Sequence, residues 1–340
     1  MSKLNVLYQF NEKYAPYAAT SIVSLLDNNK SFEQIVIYIL PEGVTKDSKN
    51  KIDYIVESYG RSVVYIETKQ IIAQMENVGI PKYRDSYATN FKMFVSEYIP
   101  EDVEKLLYID SDTIVTDSLS PLADMDMQDM PLAMVYDSLG RKHKLGIGLT
   151  PESGYYNGGV ILFHLPKWRE KKCTERIVEH AKNVRAHYYA PDQDLLNIVL
   201  GKEIQCLNMG YNLQPIHMVY SSDIYTKIWG KDTYYSDAEI EAAVKKPYIL
   251  HCFRFLGQFP WHKDSLHPST KEFDFYLQMT PWKDYVKEES SQNGFVFKIE
   301  RWLYRHLPKK IFLRIFKIVY EFFLFKANKD STRLKTNKLM

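Results

Sequence analysis

An apolar run that ends in two carboxylates is the feature that most constrains this chain. Residues 106–115 read LLYIDSDTIV, and the aliphatic and aromatic residues before Asp110 predict a buried strand. Residues two apart on an extended backbone point the same way, so we expect Asp110 and Asp112 to aim their oxygens at one point beyond the strand. In open α/β sheets, ligands bind at that edge.

Two neighbouring carboxylates repel each other unless a hard cation lies between them. Mn²⁺ and Mg²⁺ take carboxylate and phosphate oxygens together, so the pair predicts one of these ions holding a diphosphate. D-x-D is a short motif, and the alternative is a polar turn in which an aspartate caps a helix.

Strand and helix patterns alternate along the first 265 residues. Apolar runs predict strands at 4–10, 35–40, 62–66, 133–137, within 155–163 and at 247–252, beside the run at 106–115. Helical spacing predicts helices at 17–26, 46–59, 88–99, 167–184 and 191–200. This order predicts an α/β fold with a mostly parallel central sheet. The glycine-rich loops of dinucleotide-binding and P-loop proteins do not follow the first strand, which disfavours both classes.

The cysteines indicate the compartment. Cys173, Cys206 and Cys252 are widely spaced and fit neither a disulfide framework nor a zinc site, which favours a reducing environment. Residues 1–10 lead directly into a strand pattern without an apolar signal segment. We therefore expect a cytoplasmic protein.

Charge is distributed unevenly along the 340 residues. Residues 296–340 hold twelve Lys and Arg residues and three acidic residues, a net charge of +9, which leaves −7 on the rest of a chain whose total is +2. A polar stretch near 286–294 suggests a linker between a catalytic domain at 1–285 and a basic tail at 295–340. Such asymmetry points to an anionic surface as partner.

The tail has the pattern of an amphipathic helical segment. Within 310–325, charged residues recur at spacings of four, three and four, and the rest is apolar and aromatic. The charges interrupt the run too often for a membrane span, so we expect helices that lie at the inner face of the cell membrane. We expect no nucleic-acid partner. The alternative is a helix in the core or at an oligomer interface.

Five groups of polar residues lie at the ends or starts of predicted elements. They are Asp110 with Asp112, Asp137, Asn157-Gly158-Gly159, Asp192-Gln193-Asp194, and His251. Each alone has an ordinary explanation, such as a glycine turn, acids at a helix N-terminus or a structural histidine. Their order in an α/β chain predicts a single polar ligand site.

In this order, the residues resemble glycosyltransferase family 8, which contains bacterial lipopolysaccharide galactosyl- and glucosyltransferases and glycogenin. The matching stretches are LYIDSD at 107–112, YNGGV at 156–160, LPKWR at 165–169, DQDLLN at 192–197, and His251 followed by Gly257 and Pro260-Trp261-His262. The resemblance covers residues 4–265. It implies a GT-A nucleotide-sugar-binding fold, UDP-galactose or UDP-glucose as donor, Mn²⁺ (with Mg²⁺ as the alternative), and retention of anomeric configuration.

The resemblance also implies roles for single residues. Asp110, Asp112 and His251 would bind the metal, and an imidazole beside carboxylates suits Mn²⁺ better than Mg²⁺. The residues implied to bind the UDP-sugar are Gln9, Asn11, Tyr14, Lys92, Ser111, Asp137, Asn157, Gly158 and Gly257, with Tyr14 stacking on uracil. The implied catalytic residues are Asp192, Gln193 and Asp194. Gln193 is a neutral amide and a poor nucleophile, so front-face attack is favoured over a covalent intermediate on Gln193 or Asp194.

Three positions depart from the family pattern. Asn11 stands where members often have Asp, and Lys92 where they often have Arg. The usual ending H-x-x-G-x-x-K-P-W is altered, because three extra residues follow His251 and Phe259 occupies the position of the lysine that helps to neutralise the diphosphate. Arg254 and His262 are the candidates to replace that lysine.

The expected function is therefore a metal-dependent, retaining transfer of galactose or glucose from a UDP-sugar to a cell-surface glycan or lipid-linked acceptor. The alternatives are a catalytically silent sugar-nucleotide or glycan-binding protein on the same fold, and a nucleotide-sugar hydrolase. Every implied site residue lies before residue 265, so the sequence predicts that truncation after residue 294 leaves a soluble, active enzyme.

Overall fold

A mixed sheet of seven strands forms the centre of the molecule. The computed structural model describes residues 3–80, 82, 86–138, 141–184, 188, 190–229 and 234–336. The strands are β1 (Lys3–Asn11), β2 (Gln34–Glu42), β3 (Ser62–Tyr65), β4 (Lys105–Ile109), β5 (Thr113–Val115), β6 (Leu132–Tyr136), β7 (Tyr156–His164), β8 (Ile204–Cys206) and β9 (Ile249–His251). The main sheet has the order β3-β2-β1-β4-β7-β6-β8. β7 runs antiparallel to both of its neighbours, and the other described pairs of this sheet are parallel.

Helices cover both faces of this sheet. The α-helices are α1 (Ala15–Asn28), α2 (Lys46–Ser58), α3 (Lys69–Val78), α4 (Ser120–Ala123), α5 (Arg141–Gly146), α6 (Leu165–Glu170), α7 (Cys173–Val184), α8 (Pro191–Leu200), α9 (Pro215–Val219), α10 (Ser222–Trp229), α11 (Asp237–Lys245), α12 (Thr270–Leu277), α13 (Phe295–His306) and α14 (Lys309–Thr336). The 3₁₀ helices are Glu12–Tyr14, Ala88–Glu97, Gly201–Glu203 and Met209–Asn212.

The first strand shows why the sequence folds this way. Along β1, Val6 and Tyr8 pack into one hydrophobic core and Leu7 into the other, on the opposite face of the sheet. A strand buried on both sides must be apolar throughout, which is the pattern that its sequence carries. The prediction of an α/β fold with a mostly parallel central sheet is confirmed.

Three predicted elements differ from those observed. The helix expected at 88–99 is a 3₁₀ helix, and the one expected at 167–184 is divided into α6 and α7 at Lys172, whose φ of +52° an α-helix does not tolerate. The strand expected through 106–115 is interrupted. β4 ends at Ile109, and β5 leaves the main sheet to pair with β9.

The C-terminal segment packs on the rest of the molecule. Phe312 and Leu313 of α14 are 3% and 0% exposed and belong to one of the two main cores, and α14 also contacts α5 and α10. The stretch predicted as a linker also contacts the rest of the molecule, since the Ser290 hydroxyl donates to the Gly257 carbonyl at 2.6 Å. Among the described residues, no helix combines the length and apolar character needed to cross a membrane.

Candidate active site

Two carboxylates and an imidazole converge beyond the end of β4. Asp110 and Asp112 lie in the turn between β4 and β5 rather than on an extended strand, so the turn brings their oxygens together. β5 pairs with β9 so that Thr113 lies opposite His251. His251 Nε2 is 3.7 Å from Asp110 Oδ2 and 3.5 Å from Asp112 Oδ1, and one ligand atom from each residue fits within 4.8 Å.

The electrostatics of this triad favour a cation. Burial and the neighbouring Asp112 raise the pKa of Asp110, although the charge of Lys92 opposes them. Burial alone would lower the pKa of His251, but the contact with Asp112 and the charges of Asp112 and Asp110 outweigh it, so that the pKa is raised. The raised pKa of Asp110 reflects first the burial of its carboxylate and then the charge of Asp112, and the raised pKa of His251 reflects the charge of both carboxylates. A divalent cation would offset this negative charge. Two carboxylates and one imidazole are a donor set that fits such an ion.

A hydrogen bond to Asn212, on the side of the ring opposite the carboxylates, fixes the orientation of His251. Its Nδ1 lies 2.9 Å from the side-chain oxygen of Asn212, which can only accept, so Nδ1 carries a proton and, in the neutral ring, Nε2 faces the carboxylates with a lone pair. The Asn212 amide in turn donates to Asn157 Oδ1 at 2.8 Å. Asn157 donates to Asp137 Oδ2 at 2.6 Å, which links the triad to the residues expected to face the donor sugar.

Gly159 leaves room for the His251 ring. A Cβ built on Gly159 would overlap the imidazole, lying 2.7 Å from Nδ1 and 2.9 Å from Nε2. A Cβ on Gly158 would meet Asp192 and Gln193 at 3.4 Å, an ordinary contact distance. The second glycine of the pair is therefore the one that the position of the His251 ring requires.

Gln193 has a partner for each polar atom of its amide. Its Oε1 accepts from the Gly158 backbone N–H at 2.9 Å, and its Nε2 lies 3.0 Å from both Asp137 Oδ2 and the Tyr155 hydroxyl. Helix α8, which carries Gln193, is held to the start of β7 by Asn197, whose side chain bonds the N–H and the C=O of Tyr156. These contacts set the amide orientation relative to the sheet edge.

Asp194 points into the core and not toward the triad. It is fully buried, and its Oδ1 accepts from the Tyr155 hydroxyl at 2.5 Å and lies 2.8 Å from His143 Nε2. Its Oδ2 accepts from the backbone N–H of Ala190 at 3.1 Å. A carboxylate engaged in this way supports its neighbours, and its assignment as a nucleophile stays a prediction that this geometry does not favour.

Lys92 is a buried cation beside the triad. Its side chain is 1% exposed, and its ammonium group lies 2.7 Å from Asp192 Oδ2 and 3.9 Å from Asp110 Oδ1. It also donates to the Gly158 carbonyl at 2.8 Å and lies 4.3 Å from the centroid of the Tyr108 ring. The Tyr108 hydroxyl donates to Asp110. Lys92 therefore connects Asp192 electrostatically to the proposed metal ligands.

The loop after β1 forms the side of the site where a nucleoside was expected. Gln9 accepts from the Lys92 backbone N–H at 2.8 Å, and the Ser111 hydroxyl donates to the Gln9 carbonyl at 3.2 Å. The side-chain oxygen of Asn11 is buried and has no hydrogen-bond partner among the residues that the structure describes. Tyr14 packs edge-on against Tyr17, with ring centroids 5.4 Å apart. A buried oxygen without a partner and an aromatic side chain in the same part of the chain fit a ligand with a polar edge and a flat face.

The altered family ending has a packing explanation. Phe259 stacks on Trp261 at 4.4 Å, and Trp261 stacks on Tyr17 at 3.9 Å, so the ring extends an aromatic column. The guanidinium of Arg254 lies 5.1 Å above the Phe259 ring, which brings a cation back to this region. His262 accepts from the Phe259 N–H through Nδ1, and burial together with the charge of Arg254 lowers the pKa of His262.

Gly257 lies beside the C-terminal part of the chain, and its assignment to the UDP-sugar site stays a prediction. Its φ is +75°, and a Cβ there would lie 2.9 Å from Phe297 of α13. Its described contacts are thus with the C-terminal segment. Of the other residues predicted to bind the sugar, hydrogen bonds and ion pairs link a group to the triad directly or through one another: Gln9, Lys92, Ser111, Asp137, Asn157 and Gly158.

Comparisons with known proteins identify the family of the chain. The family model described as Glycosyl transferase family 8 matches residues 5–265. Lipopolysaccharide 1,2-glucosyltransferase of Escherichia coli (strain K12) is 26% identical over 293 residues, covering 83% of this chain and 79% of that protein. General stress protein A of Bacillus subtilis (strain 168) is 23% identical over 275 residues, covering 80% of this chain and 92% of that protein.

A solved structure agrees with the fold. Galactosyltransferase LgtC in complex with donor and acceptor sugar analogues is similar with a TM-score of 0.68 and 23% identity, covering 82% of this chain and 96% of that chain. The fold is therefore that of a GT-A nucleotide-sugar-binding domain, as expected from the sequence. The chain belongs to glycosyl transferase family 8, and it is a glycosyltransferase.

Proposed function

We propose that the protein transfers galactose or glucose from a UDP-sugar to a glycan or lipid-linked acceptor, with retention of configuration and with Mn²⁺ bound by Asp110, Asp112 and His251. The observation that carries this proposal is the triad, with its imidazole proton held on the far side by Asn212. The mixed oxygen and nitrogen donors favour Mn²⁺ over Mg²⁺. The relatives named as lipopolysaccharide 1,2-glucosyltransferase and lipopolysaccharide 1,3-galactosyltransferase support a hexose donor and a glycan acceptor.

In the proposed reaction, the bond between the sugar C1 and the diphosphate oxygen breaks, and its electron pair passes to UDP. The acceptor hydroxyl oxygen bonds to C1 on the same face, and its proton passes to an oxygen of the leaving phosphate. A bound divalent cation would act as a Lewis acid for the negative charge on the diphosphate.

The protein supplies fixed polar groups around the sugar. Asp137 and Asn157 are buried at its expected position, and buried sugar hydroxyls require such fixed partners. Lys92 orients the Asp192 carboxylate through their 2.7 Å contact. Gln193 has its amide pinned by Gly158 and Asp137, so it orients the donor and polarises C1 rather than attacking it.

Arg254 is our candidate for the cation that the chain lacks at position 259. Its guanidinium is already seated on the Phe259 ring, and the lowered pKa of His262 disfavours an imidazolium there. Arg254→Ala should raise the KM for the UDP-sugar, and Arg254→Lys should restore part of the affinity. An unchanged KM in Arg254→Ala would assign the diphosphate contact elsewhere.

The reaction is tested by measuring UDP release from a panel of UDP-sugars with Mn²⁺, with and without acceptor. Asp110→Asn and Asp112→Asn should each abolish transfer while the circular dichroism spectrum stays unchanged, and EDTA should stop the reaction until Mn²⁺ is restored. UDP binding without turnover would favour the silent binding protein. Equal UDP release with and without acceptor would favour the hydrolase.

We also propose that the enzyme works in the cytoplasm, on the inner face of the cell membrane. The exposed apolar residues of α14 recur on one helical face, which holds Ile311, Ile315, Ile318, Val319 and Phe322. Exposed apolar residues of α13 and exposed basic residues of both helices accompany them, among them Trp302, Lys298, Lys309, Lys310 and Arg314. Apolar and basic side chains side by side fit an anionic bilayer surface.

Vesicle co-sedimentation tests this proposal. The full chain should bind vesicles containing phosphatidylglycerol, and binding should weaken as salt rises, because charge is screened over about 8 Å at physiological ionic strength. Vesicles of phosphatidylcholine alone serve as the control. Absence of binding to the anionic vesicles at low salt would reject the membrane proposal.

A further inference from the structure

A buried polar group lies behind Gln193, on the side away from the metal triad. Its members are Tyr155, Asp194 and His143, which we name the support cluster, and each side chain is fully buried. The Tyr155 hydroxyl is 2.5 Å from Asp194 Oδ1, and His143 Nε2 is 2.8 Å from that same oxygen and 3.0 Å from the Tyr155 hydroxyl. Three polar side chains enclosed in a core need mutual hydrogen bonds to be stable there.

The direction of these hydrogen bonds follows from their chemistry. An ionised Asp194 can only accept, so the Tyr155 hydroxyl and the His143 Nε2–H both donate to it. With its proton committed to Asp194, the Tyr155 oxygen offers a lone pair to the Gln193 Nε2–H at 3.0 Å. Burial and the charge of Asp194 raise the pKa of Tyr155 well above its usual value, which keeps the hydroxyl protonated.

This arrangement determines which way the Gln193 amide points. Its NH₂ group is shared between Asp137 Oδ2 and the Tyr155 oxygen, and its Oε1 is held by the Gly158 N–H. A flipped amide would turn its NH₂ toward the Gly158 N–H and its oxygen toward the Asp137 carboxylate, two repulsive contacts. Of these three contacts, the hydrogen bond from the Gln193 NH₂ group to the Tyr155 oxygen is the one that depends on the support cluster.

The support cluster is held in turn by the C-terminal helix. His143 lies on α5, a helix of six residues, which is too short to be stable alone. Helix α14 packs against α5, and its Tyr320 packs against the hydrophobic pair Ile147 and Tyr155. The side of α14 opposite the exposed apolar stripe therefore covers the support cluster.

We infer that His143, Tyr155 and Asp194 are positioning residues that fix the Gln193 amide for sugar transfer, and that α14 braces them. The inference rests on the proposed function, since it assigns a task to Gln193 in that reaction. On this proposal, none of the three touches the donor. They act through Gln193, and their loss should affect the chemical step more than binding of UDP or metal.

Tyr155→Phe is the sharpest variant, because it keeps the buried ring and removes the oxygen. We expect kcat to fall by about 10- to 100-fold, because the Gln193 amide would no longer be held in its position for the reaction. The KM for the UDP-sugar and the affinity for Mn²⁺ should stay nearly unchanged. His143→Leu should behave similarly, and His143→Gln, which keeps an N–H donor, should recover part of kcat. Leu145→Ala is the matched control, since Leu145 is 46% exposed on the same helix. Wild-type kcat in folded Tyr155→Phe would overturn the inference.

A second readout does not depend on turnover. In NMR spectra, the two side-chain amide protons of Gln193 should give distinct signals that exchange slowly with water in the wild type and faster in Tyr155→Phe. Equal exchange in both proteins would overturn the inference, even if no UDP-sugar is ever turned over. If the wild type fails to release UDP from any donor, the proposed function fails, and this readout still tests the support cluster.

The bracing by α14 has its own test. Tyr320→Ala should lower kcat with soluble acceptors in the absence of membranes, and should speed the exchange of the Gln193 amide protons. Wild-type values for both would remove α14 from the inference.

Discussion

The Nδ1 nitrogen of His251 lies 2.9 Å from the side-chain oxygen of Asn212, on the side of the ring away from Asp110 and Asp112. This contact selects the tautomer in which Nε2 is free to bind a metal. It also joins the metal triad to the Asn157 and Asp137 side chains, because the Asn212 amide continues the chain of hydrogen bonds.

Asn212→Leu should weaken Mn²⁺ binding by about 10- to 100-fold, as outer partners of metal-binding histidines do. The ring would lose the acceptor that keeps the proton on Nδ1. Calorimetric titration with Mn²⁺ measures the effect. Asn208→Ser is the control, because Asn208 caps the same 3₁₀ helix and Ser keeps a capping oxygen. An Asn212→Leu affinity equal to that of the wild type would remove Asn212 from the metal site.

Gly159→Ala should remove Mn²⁺ binding and transfer activity, because the added Cβ would occupy the space of the His251 ring. Gly158→Ala is the matched comparison. Its Cβ would meet neighbours at 3.4 Å and should leave Mn²⁺ binding intact. Calorimetry on both variants, with circular dichroism to verify folding, measures this difference. Similar Mn²⁺ affinities in the two would contradict the close approach of His251 to β7.

Tyr14→Ala should weaken UDP binding by about 1–3 kcal/mol, the usual value of a base stacked on an aromatic ring. Tyr14→Phe should cost much less, because stacking needs the ring and not the hydroxyl. UDP calorimetry in the presence of Mn²⁺ gives both values. Tyr17→Phe, in the same aromatic group, is the control for loss of a hydroxyl. Equal affinities of the Tyr14 variants would exclude Tyr14 from the nucleoside site.

Stability should fall as the pH drops below about 6.5, because of two buried histidines. Burial lowers the pKa of His217 and of His267 to about 3. Between these values the unfolded chain binds protons that the folded chain does not, so each histidine costs up to about 1.4 kcal/mol per pH unit. Urea unfolding at pH 7, 6 and 5 should show a shallower decline for His217→Phe than for the wild type. An equal slope in His217→Phe and in the wild type would contradict the assignment of this effect to His217.

Truncation after residue 294 should yield an unstable protein, against the expectation from the sequence, because it uncovers the hydrophobic core that Phe312 and Leu313 complete. Phe312→Ala alone should lower the free energy of unfolding by about 3–5 kcal/mol. Ile318→Ser with Phe322→Ser, which are 66% and 58% exposed, should leave stability nearly unchanged and weaken vesicle binding. Urea unfolding and vesicle co-sedimentation measure the two effects. If the truncated protein were stable and active, residues 295–340 would form an independent tail, as expected from the sequence.

The sequence predicted the sheet and the residues at its edge because both depend on local patterns. Apolar runs give the strands, and Asp110, Asp137, Gln193 and His251 stand at element ends where the pattern changes. Asp110 and Asp112 do converge, but the predicted reason, a shared face of an extended strand, was wrong. They converge through a turn.

The support behind the site was not predictable in the same way. His143 stands in the run Arg141-Lys142-His143-Lys144, whose composition is typical of a solvated surface, yet it is fully buried beside Asp194. Its partners lie far away in the chain, and no local pattern encodes such contacts. A lone Asn212 carries equally little signal. The tail was predicted as a membrane helix or a core helix, and α14 has an exposed apolar face and a buried one.

Helix α14 is also the last of these elements to be synthesised. Every residue assigned to the metal triad and the donor site is synthesised before α14, and α5 stays uncovered until α14 has been made. A nascent chain that ends before residue 309 thus has the ligands for a metal without the brace for Gln193. On the proposed assignment, full transfer activity and the complete membrane-binding surface arise in the same event, so unfinished chains would consume little nucleotide-sugar away from the bilayer.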